Sequence, residues 1–188
     1  MRYGGKLTPE QFRRMLDEQQ REIARHLPAL PLYGLDGWAG LRLVDECGLE
    51  SGVLQAIGLA HGRPKGPGPY VRVVTARVGA AHVARERRRA LALEREWPTS
   101  AEVFDRLDAA LRAEVPGAVT IVVDGEPREF ARWPHDGGWI AEAVLGDHPV
   151  VVEATGVGPD AVRLIRVRDF GAYLDGRRAF LDSVAGDG

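Results

Sequence analysis

Near the N-terminus, apolar residues recur every three or four positions, a spacing typical of an amphipathic helix. The apolar stripe consists of Phe12, Leu16, Ile23 and Leu27. Thr8 begins the pattern as an N-cap, Pro9 suits the first helical position, and Gln11 completes a capping box. Because Pro28 follows directly, the sequence predicts a helix that ends before it.

The next segments are shorter and favour strands. Residues 41–46 and 53–60 are apolar and are separated by the glycine-bounded segment 48–52, which predicts a hairpin. Glycine and proline alternate in residues 61–69 and indicate a loop. Residues 70–78 are rich in valine and threonine and predict another strand.

Two helices are predicted in the middle of the chain and further strands after them. Residues 80–97 and the segment from Thr99 to Pro116 carry helical apolar patterns, and Thr99 to Glu102 repeats the capping-box motif. The segment Asp124-Gly125 predicts a tight hairpin turn. Strands are predicted over 119–123, 128–133, 139–145, 150–155 and 162–168, and Asp169 caps a last helical segment carrying Tyr173, Leu174, Phe180, Leu181 and Val184.

This order of elements predicts an α+β fold, with a predominantly antiparallel sheet and flanking helices packed on one face. Residues 1–97 and 98–188 form an N-terminal and a C-terminal α+β half, within one compact domain or two. Tyr70–Val83 resembles Ala161–Leu174, which suggests two related helix–β–helix halves. The alternative is that junctions between strands and helices look alike in any chain rich in valine, arginine and alanine.

Composition narrows the class of protein. The 188 residues are 45% hydrophobic and 28% charged, enough to form a core. The net charge of −2 makes nucleic-acid binding an unfavoured interpretation, because binding to phosphates needs a basic excess. The basic run Arg85–Arg89 is expected to form a solvated, salt-bridged helix face.

The compartment follows from what the sequence lacks. Cys47 is the single cysteine, so no internal disulfide forms, and neither a signal sequence nor a membrane span is recognisable. These features predict a cytoplasmic protein without membrane association. Cations are almost all arginine, with lysine only at Lys6 and Lys65, a bias typical of a bacterium with a GC-rich genome.

The sequence contains no recognisable motif for most kinds of catalysis. No serine lies in a nucleophile elbow, and the two acids before Cys47 disfavour a thiolate. His135 and His148 lie at opposite ends of a predicted strand, too far apart to share a metal ion, and the other histidines are expected at the surface or in loops. Glu142 and Glu153 are expected on the solvent side of the sheet, with an acid/base pair as the alternative. No catalytic residue, metal ligand or cofactor site is therefore assigned.

One cluster remains as a candidate binding site. It consists of Trp133, His135, Asp136 and Trp139, around a glycine-rich turn. Tryptophans beside a loop can anchor a partner or a ligand, although they also serve as core residues under a turn.

These features favour a non-catalytic bacterial protein that binds another protein, as an adaptor, an immunity-type inhibitor or a secretion partner. The alternative is a small-molecule-binding protein or an enzyme with an unfamiliar site, and a DNA-linked regulator comes third. Homodimerisation through a sheet edge is compatible with each of them.

Overall fold

The structure is a computed structural model that describes residues 8–27, 30–50, 53–63, 67–77, 83–95, 100–135 and 137–174. Its strands are β1 (Tyr33–Leu35), β2 (Arg42–Glu50), β3 (Val53–His61), β4 (Tyr70–Ala76), β5 (Gly117–Val123), β6 (Glu126–His135), β7 (Gly138–Leu145), β8 (His148–Thr155) and β9 (Arg163–Arg166). Its helices are α1 (Pro9–His26), α2 (Val83–Arg95), α3 (Ala101–Ala113) and α4 (Phe170–Leu174), with one 3₁₀ turn at Pro159–Ala161. Within these ranges no helix is long and apolar enough to cross a membrane.

The strands form one mixed sheet in the order β1-β9-β5-β6-β7-β8-β4-β3-β2, curled into a half-barrel. All neighbouring pairs are antiparallel except β5 and β9, which run parallel. The prediction of a sheet with helices is therefore confirmed in outline. The sheet is mostly, but not purely, antiparallel, because the chain crosses over between β8 and β9.

Local sequence explains the hairpins that build this sheet. Asp124 and Gly125 have φ values of 51° and 85°, as the two central residues of a type I′ turn require. The turn places Val123 opposite Glu126 and fixes the register of β5 and β6. The predicted Asp124-Gly125 hairpin is thus confirmed.

Because the sheet is curled, side chains from distant strands meet on its inner face and form an apolar core. Val73 on β4 and Ile121 on β5 are far apart in strand order, yet both are fully buried in one apolar cluster on the inner face. Phe130 and Trp139 belong to the same cluster. Because side chains alternate along a strand, the next residue on β4, Val74, points outward and packs with Ala84 of α2.

The helices lie on both sides of the sheet, which corrects the expectation of a single helical face. Ile23 of α1 and Phe170 of α4 pack with Leu59 of β3, on the side that also holds the inner core. Helix α2 covers the outer face, and α3 packs on α2. The capping box predicted for α1 is present: the Thr8 and Gln11 side chains each accept a backbone N–H from the other residue.

Several boundaries differ from the predictions. β1 was not expected, and β2 continues through Gly48 to Glu50. Register shifts between Val44 and Glu46 and between Gly48 and Leu49 let β2 continue past that glycine. Ser100 is the N-cap of α3, and its side chain makes no capping hydrogen bond, while Thr99, the first residue of the predicted capping box, lies outside the described residues. The proposed duplication of the two halves stays a prediction, although strands from both halves form one sheet.

Candidate functional site

The most unusual polar group in the described structure is His61, the last residue of β3, whose side chain is fully buried. It lies opposite Val71 of β4, and its Nδ1 is 3.1 Å from the Val71 carbonyl oxygen. A carbonyl only accepts hydrogen bonds, so Nδ1 carries the proton and donates it. The other ring nitrogen, Nε2, is therefore an acceptor.

Two donors converge on this acceptor. The Tyr173 hydroxyl oxygen lies 2.7 Å from Nε2, and the backbone N–H of Leu35 donates to Nε2 over 3.3 Å. The same hydroxyl is 2.9 Å from the Leu35 carbonyl oxygen, so its single proton is donated either to Nε2 or to this carbonyl oxygen. One imidazole thus joins β3 and β4 to β1 at the opposite edge of the sheet and to α4. We call the group His61, Tyr173 and Leu35 the seam.

Two further side chains pack around the seam. Arg42 donates to the carbonyl oxygen of Tyr173 over 2.8 Å and to that of Trp38, and its guanidinium lies 4.6 Å from the centre of the Tyr173 ring. Trp38 meets the His61 ring edge to face, with 6.0 Å between ring centres. A Cβ atom at Gly34 would lie 2.3 Å from the Tyr173 hydroxyl, so the glycine is needed for this close approach.

Burial sets the protonation states of the seam. Desolvation lowers the pKa of His61 to about 4, and the nearby charge of Arg42 acts in the same direction. Desolvation also raises the pKa of Tyr173 to about 12. Neither group exchanges protons near neutral pH, and both are engaged in hydrogen bonds. The seam therefore has the properties of a structural closure and not of an acid/base pair.

Acidification is expected to destabilise the protein through His61. The ring has a pKa of 6.5 when unperturbed and of about 4 in the fold, so between these values the unfolded chain binds a proton that the folded protein excludes. The free energy of unfolding should fall by about 3 kcal/mol as the pH drops through this window. Urea unfolding at several pH values measures it. In the His61→Gln variant this part of the pH dependence should disappear, and an unchanged slope would assign it to other groups.

The sequence-predicted cluster is divided between the two faces of the sheet. Trp139 is buried in the inner core and donates through Nε1 to the carbonyl oxygen of Val157 over 2.8 Å. Trp133 pairs with Ile140 and packs on the outer side, with the Arg88 guanidinium 4.7 Å from its ring centre. The two tryptophans therefore do not line a common surface.

The two polar residues of that cluster, His135 and Asp136, do not supply a described binding site either. His135 is partly buried at the end of β6, opposite Gly138. Asp136 lies outside the described residues. His135 and His148 occur at opposite ends of β7, as predicted, and the described residues contain no group of three or more potential metal ligands.

Ionic contacts hold α2 on the outer face. Glu153 is buried and receives two hydrogen bonds from Arg87, of 2.6 and 3.0 Å, with Arg72 at 3.9 Å. Arg88 is also buried and contacts Glu114. The run Arg85–Arg89 is salt-bridged as predicted, but its central arginines are not a solvated face, and Glu153 is not on the solvent side.

Among the described residues, surface grooves lie elsewhere. One of about 690 Å³ separates the end of α1 from the β9–α4 segment, and one of about 250 Å³ adjoins the Asp124 turn. The larger is lined by Ala24, Leu27, Pro31, Leu32, Arg166, Val167, Arg168, Asp169, Phe170 and Gly171. No serine, cysteine or histidine is among the described residues that line either groove.

The remaining feature is the free edge of β2. This strand has nine residues and, in the described part of the chain, pairs only with β3. An edge strand presents a row of backbone N–H and C=O groups to which another extended chain can bind. The other edge, β1, has three residues and is held at the seam. Cys47 lies within β2.

Comparison with known proteins finds no matching family model, no matching curated protein and no matching solved structure.

Sequence reasoning missed the seam. His61 was expected at the surface or in a loop, because Gly62 and a run of prolines follow it. It is instead the last residue of a strand whose preceding residues are apolar and buried. That uninterrupted apolar run was the available signal. Its partner Tyr173 is more than a hundred residues away, and no local pattern joins the two.

Proposed function

We propose that this chain is a non-catalytic protein-binding module that takes an extended segment of another protein along β2. Such a module suits an adaptor, an immunity-type inhibitor or a secretion partner. The supporting observation is the nine-residue edge strand, which pairs on one side only within the described chain. Strand addition to such an edge is a common mode of peptide recognition, in which main-chain hydrogen bonds supply the affinity.

The asymmetry of the two edges supports β2 as the binding edge. β1 is short, and its Leu35 backbone groups are already bonded to His61 and Tyr173. Arg42, the first residue of β2, is bonded to two carbonyl oxygens and anchors the beginning of this strand. Beyond Arg42, the strand offers a stretch of about 25 Å for pairing.

A small-molecule or catalytic role has less support from the geometry. The inner face of the half-barrel, where ligands of curled sheets often bind, is filled by the apolar core that includes Val73, Ile121 and Phe130. The buried His61 and Tyr173 are engaged with each other and with the backbone. These contacts favour recognition at an edge over chemistry in a pocket.

The test combines two measurements on the full chain. Native mass spectrometry after gentle isolation from the source cells should reveal a stoichiometric second protein. Hydrogen exchange on that complex should then show slower exchange of the β2 amides than in the isolated chain. A chain that carries only a small molecule would contradict the proposal, as would a partner that protects amides elsewhere and leaves β2 unchanged.

A further inference from the structure

The sheet opens at one end between β6 and β7. β6 pairs with β5 from Glu126 onwards, and β7 pairs with β8 as far as Leu145. In the described chain, β6 and β7 pair with each other only between residues 131–135 and 138–142. The first residues of β6 and the last residues of β7 are therefore not joined, and both line the groove of about 250 Å³ beside the Asp124 turn.

Charged side chains reach this groove from the inner face of β6. Phe130 is buried in the inner core, and Arg128 and Glu126 lie two and four residues before it, so all three point to the same face. Arg128 and Glu126 both line the groove. Neither side chain makes a hydrogen bond or an ion pair with another residue of the described chain. The apolar core therefore ends in a polar recess with two free charges of opposite sign.

Two further polar groups of the groove are held in place by the fold. Asp124 accepts the backbone N–H of Arg166 through Oδ1 over 2.8 Å, which joins the β5–β6 turn to β9. Tyr33 of β1 lies opposite Arg166 and is buried. Burial raises the pKa of Tyr33, so its hydroxyl is protonated at neutral pH and can donate a hydrogen bond. The groove thus offers a fixed neutral donor in addition to the two free charges.

We infer that this groove binds a free amino acid with an apolar side chain. The Arg128 guanidinium and the Tyr33 hydroxyl would bind the carboxylate, and the Glu126 carboxylate would bind the ammonium group. Residues two apart along a strand are separated by about 6.6 Å, so both charged side chains can reach a ligand that carries both charges on one carbon atom. This inference does not depend on strand addition at β2.

The balance of charge disfavours ligands of a single sign. An anion bound at Arg128 would lie near the carboxylates of Asp124 and Glu126, and a cation bound at Glu126 would lie near the guanidinium of Arg128. Such contacts oppose binding, because charges interact more strongly in a partly desolvated site than in water. A zwitterion places an opposite charge beside each of these groups.

The apolar lining and the volume limit the rest of the ligand. Val123 is buried in the inner core and Leu145 packs against it, and both line the groove, where they would contact an aliphatic side chain. The volume of about 250 Å³ is below the range of about 300 to 1,000 Å³ that is typical of sites for drug-sized ligands. A single amino acid is therefore favoured over a peptide or a nucleotide.

The first experiment measures binding to the full chain by isothermal titration calorimetry at neutral pH. The probes are leucine, valine, isoleucine, methionine and phenylalanine, up to millimolar concentration. For leucine, isocaproate keeps the carboxylate and lacks the ammonium group, and isoamylamine keeps the ammonium group and lacks the carboxylate. We expect at least one of the amino acids to bind, and leucine to bind about tenfold or more tightly than either analogue, because each analogue leaves one charged side chain without its partner.

Four variants then locate the site. Glu126→Gln and Arg128→Gln should each weaken binding of the amino acid about tenfold or more. Glu129→Gln and Arg163→Gln are the controls and should leave it unchanged, since neither residue lines the groove. All four side chains are exposed, and circular dichroism verifies that the variants fold.

Three results would overturn the inference: no binding of any of the five amino acids, equally tight binding of an analogue that lacks one charge, or equal affinities in the groove variants and the controls. Each of them would leave the proposed strand addition at β2 intact, because that strand contributes no residue to the groove.

Discussion

Replacing His61 by alanine is expected to lower the free energy of unfolding by about 3 to 5 kcal/mol. The ring is fully buried, so its removal leaves a cavity. It also removes the acceptor of the Leu35 N–H group, a donor to the Val71 carbonyl oxygen, and one of two partners of the Tyr173 hydroxyl. A buried polar group without a partner is destabilising by about 1 to 3 kcal/mol. Thermal and chemical unfolding measure the loss.

The segments that lose protection from hydrogen exchange distinguish the loss of these hydrogen bonds from a general loss of packing. The seam joins β1 and α4 to β3 and β4, so hydrogen exchange in the His61→Ala variant should accelerate first in Tyr33–Leu35 and Phe170–Leu174. His148→Ala serves as the control, since that side chain is only partly buried and should change stability by less than about 0.5 kcal/mol. Equal losses in the two variants would show that the seam does not stabilise the fold.

The features of the fold that could be predicted from the sequence are those that depend on residues close together along the chain. The Thr8–Gln11 capping box acts over three residues, and Asp124-Gly125 adopts positive φ values because those two residue types tolerate them. Asp169 caps α4 in the expected way, with its carboxylate accepting from the Ala172 N–H. In each case the information and the interaction lie within the same few residues.

What sequence did not predict depends on distant segments. β1 has three residues and exists because β9, more than a hundred residues later, pairs with it. The parallel pairing of β5 with β9 has the same origin, since Val122 and Arg163 meet only after the chain has crossed the half-barrel. A pattern of apolar positions indicates that a segment is buried but does not name its neighbour.

The tryptophan cluster illustrates how one residue of register decides a site. Trp133 lies opposite Ile140 and Pro134 opposite Trp139, so the two tryptophans occupy adjacent pairs whose side chains point to opposite faces. A turn one residue longer or shorter would have placed both on one face. The sequence of the glycine-rich turn between them does not determine the pairing register of β6 and β7. It was therefore not enough to predict whether the two tryptophans share a surface.

Replacing Glu153 by methionine is expected to lower the free energy of unfolding by about 3 to 5 kcal/mol, because it leaves buried arginine charge without its carboxylate. Glu153 is 4% exposed, contacts Arg87 with both carboxylate oxygens, and lies 3.9 Å from Arg72, which is also buried. The variant should also loosen α2, which Arg87 attaches to the sheet. Chemical unfolding measures the first effect, and hydrogen exchange in Val83–Arg95 the second.

The origin of this loss can be separated into charge and packing. A triple variant, with methionine at Arg72, Arg87 and Glu153, removes all three charges and keeps side-chain volume, so it should recover most of the stability lost in Glu153→Met. The reason is that desolvating an ion pair offsets much of its attraction, and an apolar cluster of similar size carries no such penalty. A triple variant no more stable than Glu153→Met would mean that the ionic contacts themselves hold α2 on the sheet. The comparison therefore decides whether this buried cluster stabilises the fold or mainly fixes where α2 sits.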